Sequence, residues 1–375
     1  MSTRRTVLAC LATAAPAPAF LGAFPAVAPS GQNPRRRPSE RVTVVAHRGA
    51  SALRPEHTLA AYELAARLGA DYLEPDLVCT ADGVLVCRHE PAIGGTTDVA
   101  DRPEFASRRR TVTLDGVSVT DWFTHDFTLA ELRTLRAKER LGQIRQRNTL
   151  LDGRWPVPTL QEVLQLRKRL SAELGREIGV YPETKHPTYF RSLGLALEER
   201  LLRALGLHGL NRAQAPVYVQ SFEVSNLRAL RGAGARFPLV QLINADGAPY
   251  DTVAAGKGPT YADLLTPRGL RGIAQYAQGV GPEKGHVVPC RSDGSLGPAT
   301  DLVEDAHEAG LLVHPWTFRA ENTFLPARLR VGDDPKDYGR MLEELQVFLR
   351  AGIDGFFTDH PDLGALARDG AARRN

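Results

Sequence analysis

Cysteine is scarce, four residues in 375, and one of the four, Cys10, lies in an N-terminal leader. The other three, Cys79, Cys87 and Cys290, allow at most one bridge and leave at least one unpaired thiol. No C-x-x-C spacing occurs, which argues against a structural zinc site. Beyond the leader no stretch reaches the ~18 apolar residues of a membrane span. There is no basic face or stripe either. The formal net charge is only +4 and much of it is local, at Arg4-Arg5 and Arg35-Arg36-Arg37, so a nucleic-acid partner is excluded. Internal repeats and long low-complexity tracts are missing after the leader. What is present, 43% hydrophobic and 24% charged residues, is the composition of a globular protein with a buried core. The length suits two ordinary domains or one large α/β barrel, which often runs past ~250 residues as a single unit.

Paired arginines, Arg4-Arg5, precede an Ala/Leu-rich stretch that reaches about Ala28. This reads as a twin-arginine-type signal peptide over residues 1–28, with Ala26-Val27-Ala28 as an A-x-A cleavage site. Pro29 is unfavourable directly after that site, and Ala17-Pro18-Ala19 is a second choice. The run ahead of Cys10 is too short for a lipoprotein signal. An exported protein, secreted or held in the periplasm or cell wall of a bacterium, is expected. Residues 29–40, rich in Pro, Arg, Ser and Gly, read as a linker, and the body spans 41–375.

Within the body, strand-like runs recur at 42–46, 72–78, 84–88, 178–182, 217–220, 238–243, 311–315 and 353–358, with a weaker one at 278–281. Helix-period segments lie between several of them, at 58–68, 160–174, 192–205, 224–231, 300–308 and 338–350. Alternating strand and helix predicts a mainly parallel sheet, and the number of repeats favours a (β/α)8 TIM barrel. Nine candidates compete for eight places, so one is not a barrel strand. Residues 94–156 break the rhythm. They are polar, contain Arg108-Arg109-Arg110 and an Asp115-Gly116 turn, and read as a small inserted subdomain after the third strand, over the barrel mouth. Residues 246–272 are a second irregular loop.

Chemistry-bearing residues gather at the ends of these runs, where barrels build their sites. Glu74 and Asp76 leave the same face of an extended segment, and two such carboxylates repel unless a cation lies between them. Glu183 ends another run, with Lys185 on its face; a plain ion pair is the competing reading. The functional reading gives Glu74, Asp76 and Glu183 to a metal and Lys185 to a phosphate oxygen. All-oxygen ligation selects a hard divalent cation, Ca²⁺ or Mg²⁺, with Ca²⁺ favoured as the more available ion outside the cell. His47 and His89 are the proton carriers, one base and one acid, with their roles open. Arg48 offers a planar fork to a phosphate. Glu56 orients a histidine or contacts the substrate, and His57 and Thr58 lock the turn and start the next helix. Gln220, Phe222 and Trp316 fall at later strand ends, the two aromatics as pocket walls or as ordinary packing. Asp82-Gly83 is a turn signal. With those two residues as a tight loop, Asp76 falls opposite His89 across the ribbon, and Cys79 and Cys87 face opposite sides; a parallel arrangement is also open.

Together the motifs His47-Arg48-Gly49-Ala50-Ser51, Pro55-Glu56-His57-Thr58, Glu74-x-Asp76, Asp82-Gly83, His89, Pro182-Glu183-x-Lys185, Gln220-Ser221-Phe222 and Thr358-Asp359 resemble the glycerophosphodiester phosphodiesterase family, in its exported, periplasmic-type branch. The resemblance covers about residues 42–365. It implies a barrel with an inserted subdomain, a divalent metal on Glu74, Asp76 and Glu183, and acid–base work by His47 and His89. The expected reaction is hydrolysis of a glycerophosphodiester to sn-glycerol 3-phosphate and an alcohol. The substrate is a small head-group diester or a teichoic-acid-type polymer. His89-Glu90 departs from the family's His-Asp. A related phospholipase of the D or phosphoinositide type, or a non-catalytic extracellular binding protein, is the alternative.

Overall fold

The computed structural model describes residues 41–372; the expected leader (1–28) and linker (29–40) lie outside the described residues. The period of two along each strand decides which side chains meet inside the barrel. In the strand Thr43–His47, Val44 and Ala46 pack outward against helices, whereas Val45 packs inside with Tyr181, Val240 and Phe357. Val180 and Phe356 likewise face out while their neighbours Tyr181 and Phe357 face in. Counting on in twos from the interior layer gives His47 from Val45, Glu74 and Asp76 from Tyr72, Glu183 and Lys185 from Tyr181, and Asp359 from Phe357.

Among the described residues the ring runs through Gly355–Thr358, Thr43–His47, Tyr72–Glu74 continued by Asp76–Cys79, and Gly179–Val180 continued by Glu183–Thr184. It goes on through Val219–Ser221, Leu239–Ile243, Gly279–Pro282 and Leu312–Val313, every neighbouring pair parallel. Asp354 N–H to Val313 O and Phe357 N–H to Pro315 O, both 3.0 Å, close it into a TIM barrel. Two strands are interrupted at Pro75 and Pro182, which have no N–H to give the ladder. The Glu183 N–H to Pro75 O bond at 3.0 Å keeps the register across the gap.

The run that is not a barrel strand is 84–88. Leu85–Cys87 pairs antiparallel with Asp76–Cys79 as a hairpin arm, and the weak run at 278–281 supplies a barrel strand. Residues 94–156 follow this third strand in the chain and so lie between the second and third strands of the ring. They hold a two-stranded hairpin, Arg110–Leu114 with Val117–Asp121, turned at Asp115-Gly116 where both φ values are positive, and several short helices. Residues 246–272 contain the helices Tyr250–Ala254, Tyr261–Leu264 and Pro267–Ile273.

The ribbon register corrects the expectation for Asp82-Gly83. Leu77 pairs with Cys87 and Cys79 with Leu85, so Asp76 falls opposite Arg88, whose N–H donates to Asp76 O at 3.0 Å, not opposite His89. The loop is three residues long because Thr80 Oγ accepts from Val84 N–H at 2.9 Å and donates to Asp82 at 2.6 Å. This register also sets Cys79 and Cys87 on one face, diagonally placed; both are buried free thiols, and Cys290 is an exposed one.

Candidate active site

The turn after the first strand presents the site. Arg48 and His57 both adopt left-handed backbone, φ 61° and 53°, and His57 N–H closes the excursion on Arg48 O at 3.0 Å. Between them Gly49 has φ +88°, and a Cβ there would meet Ala61 backbone at 2.7 Å. Thr58 then caps the helix Leu59–Arg67 through Ala61 N–H. His57 does more than lock this turn. It is fully buried, with its ring nitrogens 2.7 Å from Tyr62 Oη and 2.9 Å from Asp76 Oδ2, and so holds that carboxylate.

Strand register brings the acids together. His47 pairs with Glu74, and Asp76 with Glu183, which pairs in turn with Gln220. One oxygen from each of Glu74, Asp76 and Glu183 lies within 4.8 Å of the others, and all three side chains are buried. Arg48 N–H donates to Glu74 Oε2 at 2.7 Å and Lys185 Nζ to Glu183 Oε1 at 2.7 Å. Burial and the neighbouring Asp76 and Glu183 raise the Glu74 carboxyl well above its ordinary range. Burial and Asp76 push Glu183 up to about 8 against the pull of Lys185. Asp76 alone is held well below its usual value, by Lys185 and His57 acting against its burial. Asp76 Oδ1 is buried with no hydrogen-bond partner, an expensive state for a carboxylate oxygen. Three convergent oxygens, one of them orphaned, fit a hard divalent cation, and the triad is able to hold one.

Above the acids lies a cavity of about 270 Å³ lined by His47, Arg48, Glu74, His89, Glu183, Lys185, Gln220, Phe222 and Trp316, joined by Asn244, Thr317 and Arg319. Each imidazole is backed by a carboxylate: His47 Nδ1 lies 2.6 Å from Asp359 Oδ1, and His89 Nδ1 lies 2.5 Å from Glu90 Oε2. Lys185 Nζ approaches His89 Nε2 at 3.2 Å. Burial and Arg48 lower His47 to about 4, against the pull of Asp359, and burial with Arg48 and Lys185 lowers His89 to about 3, against the pull of Glu90. Phe222 and Trp316 meet edge to face with centroids 5.8 Å apart, and Lys185 Nζ sits 5.6 Å from the Phe222 centroid.

The model of the glycerophosphoryl diester phosphodiesterase family matches residues 47–363. The chain belongs to this family. A glycerophosphodiester phosphodiesterase of Arabidopsis thaliana is 34% identical over 84% of this chain and 82% of its own length. The crystal structure of a glycerophosphodiester phosphodiesterase from Agrobacterium tumefaciens superposes with a TM-score of 0.53 at 20% identity, covering 87% of this chain and 99% of that one. A phosphodiesterase of Oleispira antarctica, solved in complex with the product sn-glycerol-3-phosphate, gives 0.54 at 19% identity, over 88% of this chain and 97% of that one. At these identities the two structures speak for the shared fold. Family membership makes the chain an enzyme, a phosphoric diester hydrolase, and removes the reading as a non-catalytic binding protein.

Of the residues singled out from sequence, nine line the cavity and Asp76 lies against its acidic floor. Glu56 does not reach the cavity. It is buried, and its oxygens accept from Arg48 Nη1 at 3.0 Å and from Arg140 at 2.8 and 3.0 Å, so it steadies Arg48 and touches neither histidine. Asp359, quoted with Thr358 in the motif series but given no role there, backs His47 and is itself held by Arg145 at 2.6 Å and Arg319 at 2.7 Å. Glu90, marked in the sequence as the departure from the family's His-Asp, backs His89, whereas Arg140 and Arg145 take no role from the sequence alone. For Asp359 the signal was present, an acid two residues beyond an interior aromatic at a strand end. The arginines in the irregular 94–156 segment carried none.

Proposed function

We propose that this enzyme hydrolyses glycerophosphodiesters to sn-glycerol 3-phosphate and an alcohol, with a divalent cation on Glu74, Asp76 and Glu183 and with His47 and His89 as acid and base. The observation that carries this reading is the pairing of each Nδ1 with a carboxylate, Asp359 or Glu90. That bond keeps the Nδ1–H tautomer and turns each Nε2 toward the space above the acidic triad. The product bound to the Oleispira relative is the one this reaction releases. Ca²⁺ is the preferred ion, on the all-oxygen donor set and on the exported location proposed from the leader.

When bound, the cation supplies charge neutralisation to the phosphoryl oxygens. Arg48 and Lys185 add fixed positive charge beside them, already oriented by Glu56 and Glu183. One imidazole takes the proton of the attacking hydroxyl as the new P–O bond forms: water gives sn-glycerol 3-phosphate directly, whereas the neighbouring hydroxyl of the glycerol gives a cyclic phosphate that a water then opens. The other works as the imidazolium, with Nδ1–H on its carboxylate and Nε2–H on the leaving oxygen, and gives the Nε2 proton to the alkoxide as the old P–O bond breaks, returning to the neutral ring. Each transfer contributes ~10²–10⁴ in rate. Phe222 and Trp316 wall the cavity against bulk water.

The test is phosphate-ester release from glycerophosphocholine by His47→Ala and His89→Ala. Each variant is expected to keep its far-UV circular dichroism and lose more than ~10²-fold in kcat; retained turnover in both overturns the reading. A panel of small diesters, with a glycerol-phosphate polymer of the teichoic-acid type and an intact phospholipid as further arms, identifies the alcohol.

A further inference from the structure

Residues 138–152 carry two arginines whose side chains end on the carboxylates behind both imidazoles. Arg140 Nη1 donates to Glu90 Oε1 at 2.7 Å, while the other Glu90 oxygen faces His89 Nδ1. The same guanidinium spans to Glu56, which takes Arg48. Further along this loop, Arg145 Nη2 donates to Asp359 Oδ2 at 2.6 Å, while Asp359 Oδ1 faces His47 Nδ1. Arg145 also donates from Nη1 to Ser51 O at 3.0 Å, and the Ser51 hydroxyl donates to His47 O at 2.8 Å. Both connections have the same form: arginine, carboxylate, imidazole Nδ1.

The loop is braced by its own bonds. Glu139 accepts from Leu141 N–H at 2.8 Å and Asn148 Nδ2 at 2.9 Å, and Glu139 N–H donates to Asp152 at 2.7 Å. Arg145 Nε ends on the buried Glu321 at 2.6 Å. A carboxylate tied through one oxygen only can rotate about its last bond; an arginine on the second oxygen stops that rotation. Outer partners of this kind commonly fix the tautomer and direction of a working imidazole.

We propose that the 138–152 loop is a two-point clamp in which Arg140 and Arg145 are positioning residues, each acting through a carboxylate to hold one of the two imidazoles in its working orientation. This rests on the assignment of His47 and His89 as proton carriers. The two points are unequal. Asp359 keeps a second cation, Arg319 at 2.7 Å, whereas among the described residues no second cation is bonded to Glu90. Loss of Arg140 therefore costs more than loss of Arg145.

The experiment measures kcat on glycerophosphocholine for Arg140→Ala, Arg145→Ala and, as a control, Arg147→Ala, an exposed residue of the same loop, beside His47→Ala and His89→Ala. Arg140→Ala is expected to lower kcat by about tenfold to a hundredfold and Arg145→Ala by less, with Arg147→Ala unchanged. Arg140 is partly exposed, 28% of its side chain, so added guanidinium ion reaches the gap and restores kcat in Arg140→Ala. A merely structural role would lower Tm without such rescue. Where an alanine variant does not fold, Arg140→Lys and Arg145→Lys carry the test, each expected to turn over at least threefold more slowly than the parent. Parental kcat in the arginine variants, or a loss that guanidinium does not rescue, refutes the clamp while the two histidine variants still fail. Activity in the histidine variants instead overturns the reading on which the clamp rests.

Discussion

Replacing Glu74 by glutamine should make the metal-free enzyme more stable and inactive at once. Folding raises the Glu74 carboxyl well above its ordinary value of 4.5, through burial and the proximity of Asp76 and Glu183, and raises Glu183 to about 8. A carboxyl whose folded value is raised binds its proton more tightly in the native state. The stability it contributes is complete below pH 4.5 and is lost as pH climbs toward the folded value. Metal-free protein should therefore weaken between about pH 4.5 and 8. Two full charges within 4.8 Å of each other repel by at least about 3.5 kcal/mol at an effective dielectric of 20. Arg48 and Lys185 cancel part of that, leaving about 2 kcal/mol per pair, or roughly 3 °C in Tm for a body of this size. Glutamine copies the protonated form, and Gln220, whose Oε1 has no partner, is able to flip its amide and accept from the new NH₂. Thermal scans of chelated parent and Glu74→Gln at pH 5 and pH 8 check this. The variant should be higher at pH 8, equal at pH 5, and unresponsive to Ca²⁺ at both. A variant less stable than the parent at pH 8, or one that still gains Tm from Ca²⁺, refutes the electrostatic reasoning.

Two further predictions follow from the support around His47. Asp359→Asn keeps an acceptor for His47 Nδ1–H but removes the charge that raises the imidazole's proton affinity; kcat should fall by about 10² or more with little change in KM, read by steady-state kinetics. Gly49→Ala forces a Cβ into Ala61 backbone at φ +88° and should cost about 2–4 kcal/mol in urea unfolding, with His47 and Arg48 displaced; an alanine variant of parental stability would contradict the turn geometry.

Much of this site was legible because interior-facing positions recur in twos. Once Val45, Tyr72, Tyr181 and Phe357 are the inner layer, His47, Glu74, Asp76, Glu183, Lys185 and Asp359 rise from the same strands into one mouth. The register of the 76–89 ribbon was not legible. Whether Asp82-Gly83 makes a two- or three-residue loop turns on the Thr80 side chain, and a one-residue slip moves His89 out of line with Asp76. The weak run at 278–281 became a full barrel strand because Gly279 and Gly281 depress β propensity without preventing pairing. At Gly281 the small residue is needed, since a Cβ would meet Leu242 at 2.7 Å. Arg140 and Arg145 stayed hidden for a different reason. Their partners lie far along the chain, Glu56, Glu90 and Asp359 among them, and an arginine in a polar irregular segment looks the same whether it meets water or a buried acid.

The most direct trial is the initial rate of sn-glycerol 3-phosphate release from glycerophosphocholine by chelator-stripped enzyme, before and after Ca²⁺ is added. Negligible release that Ca²⁺ restores is the predicted result; undiminished release by the stripped enzyme would contradict a cation held on Glu74, Asp76 and Glu183 as part of the reaction.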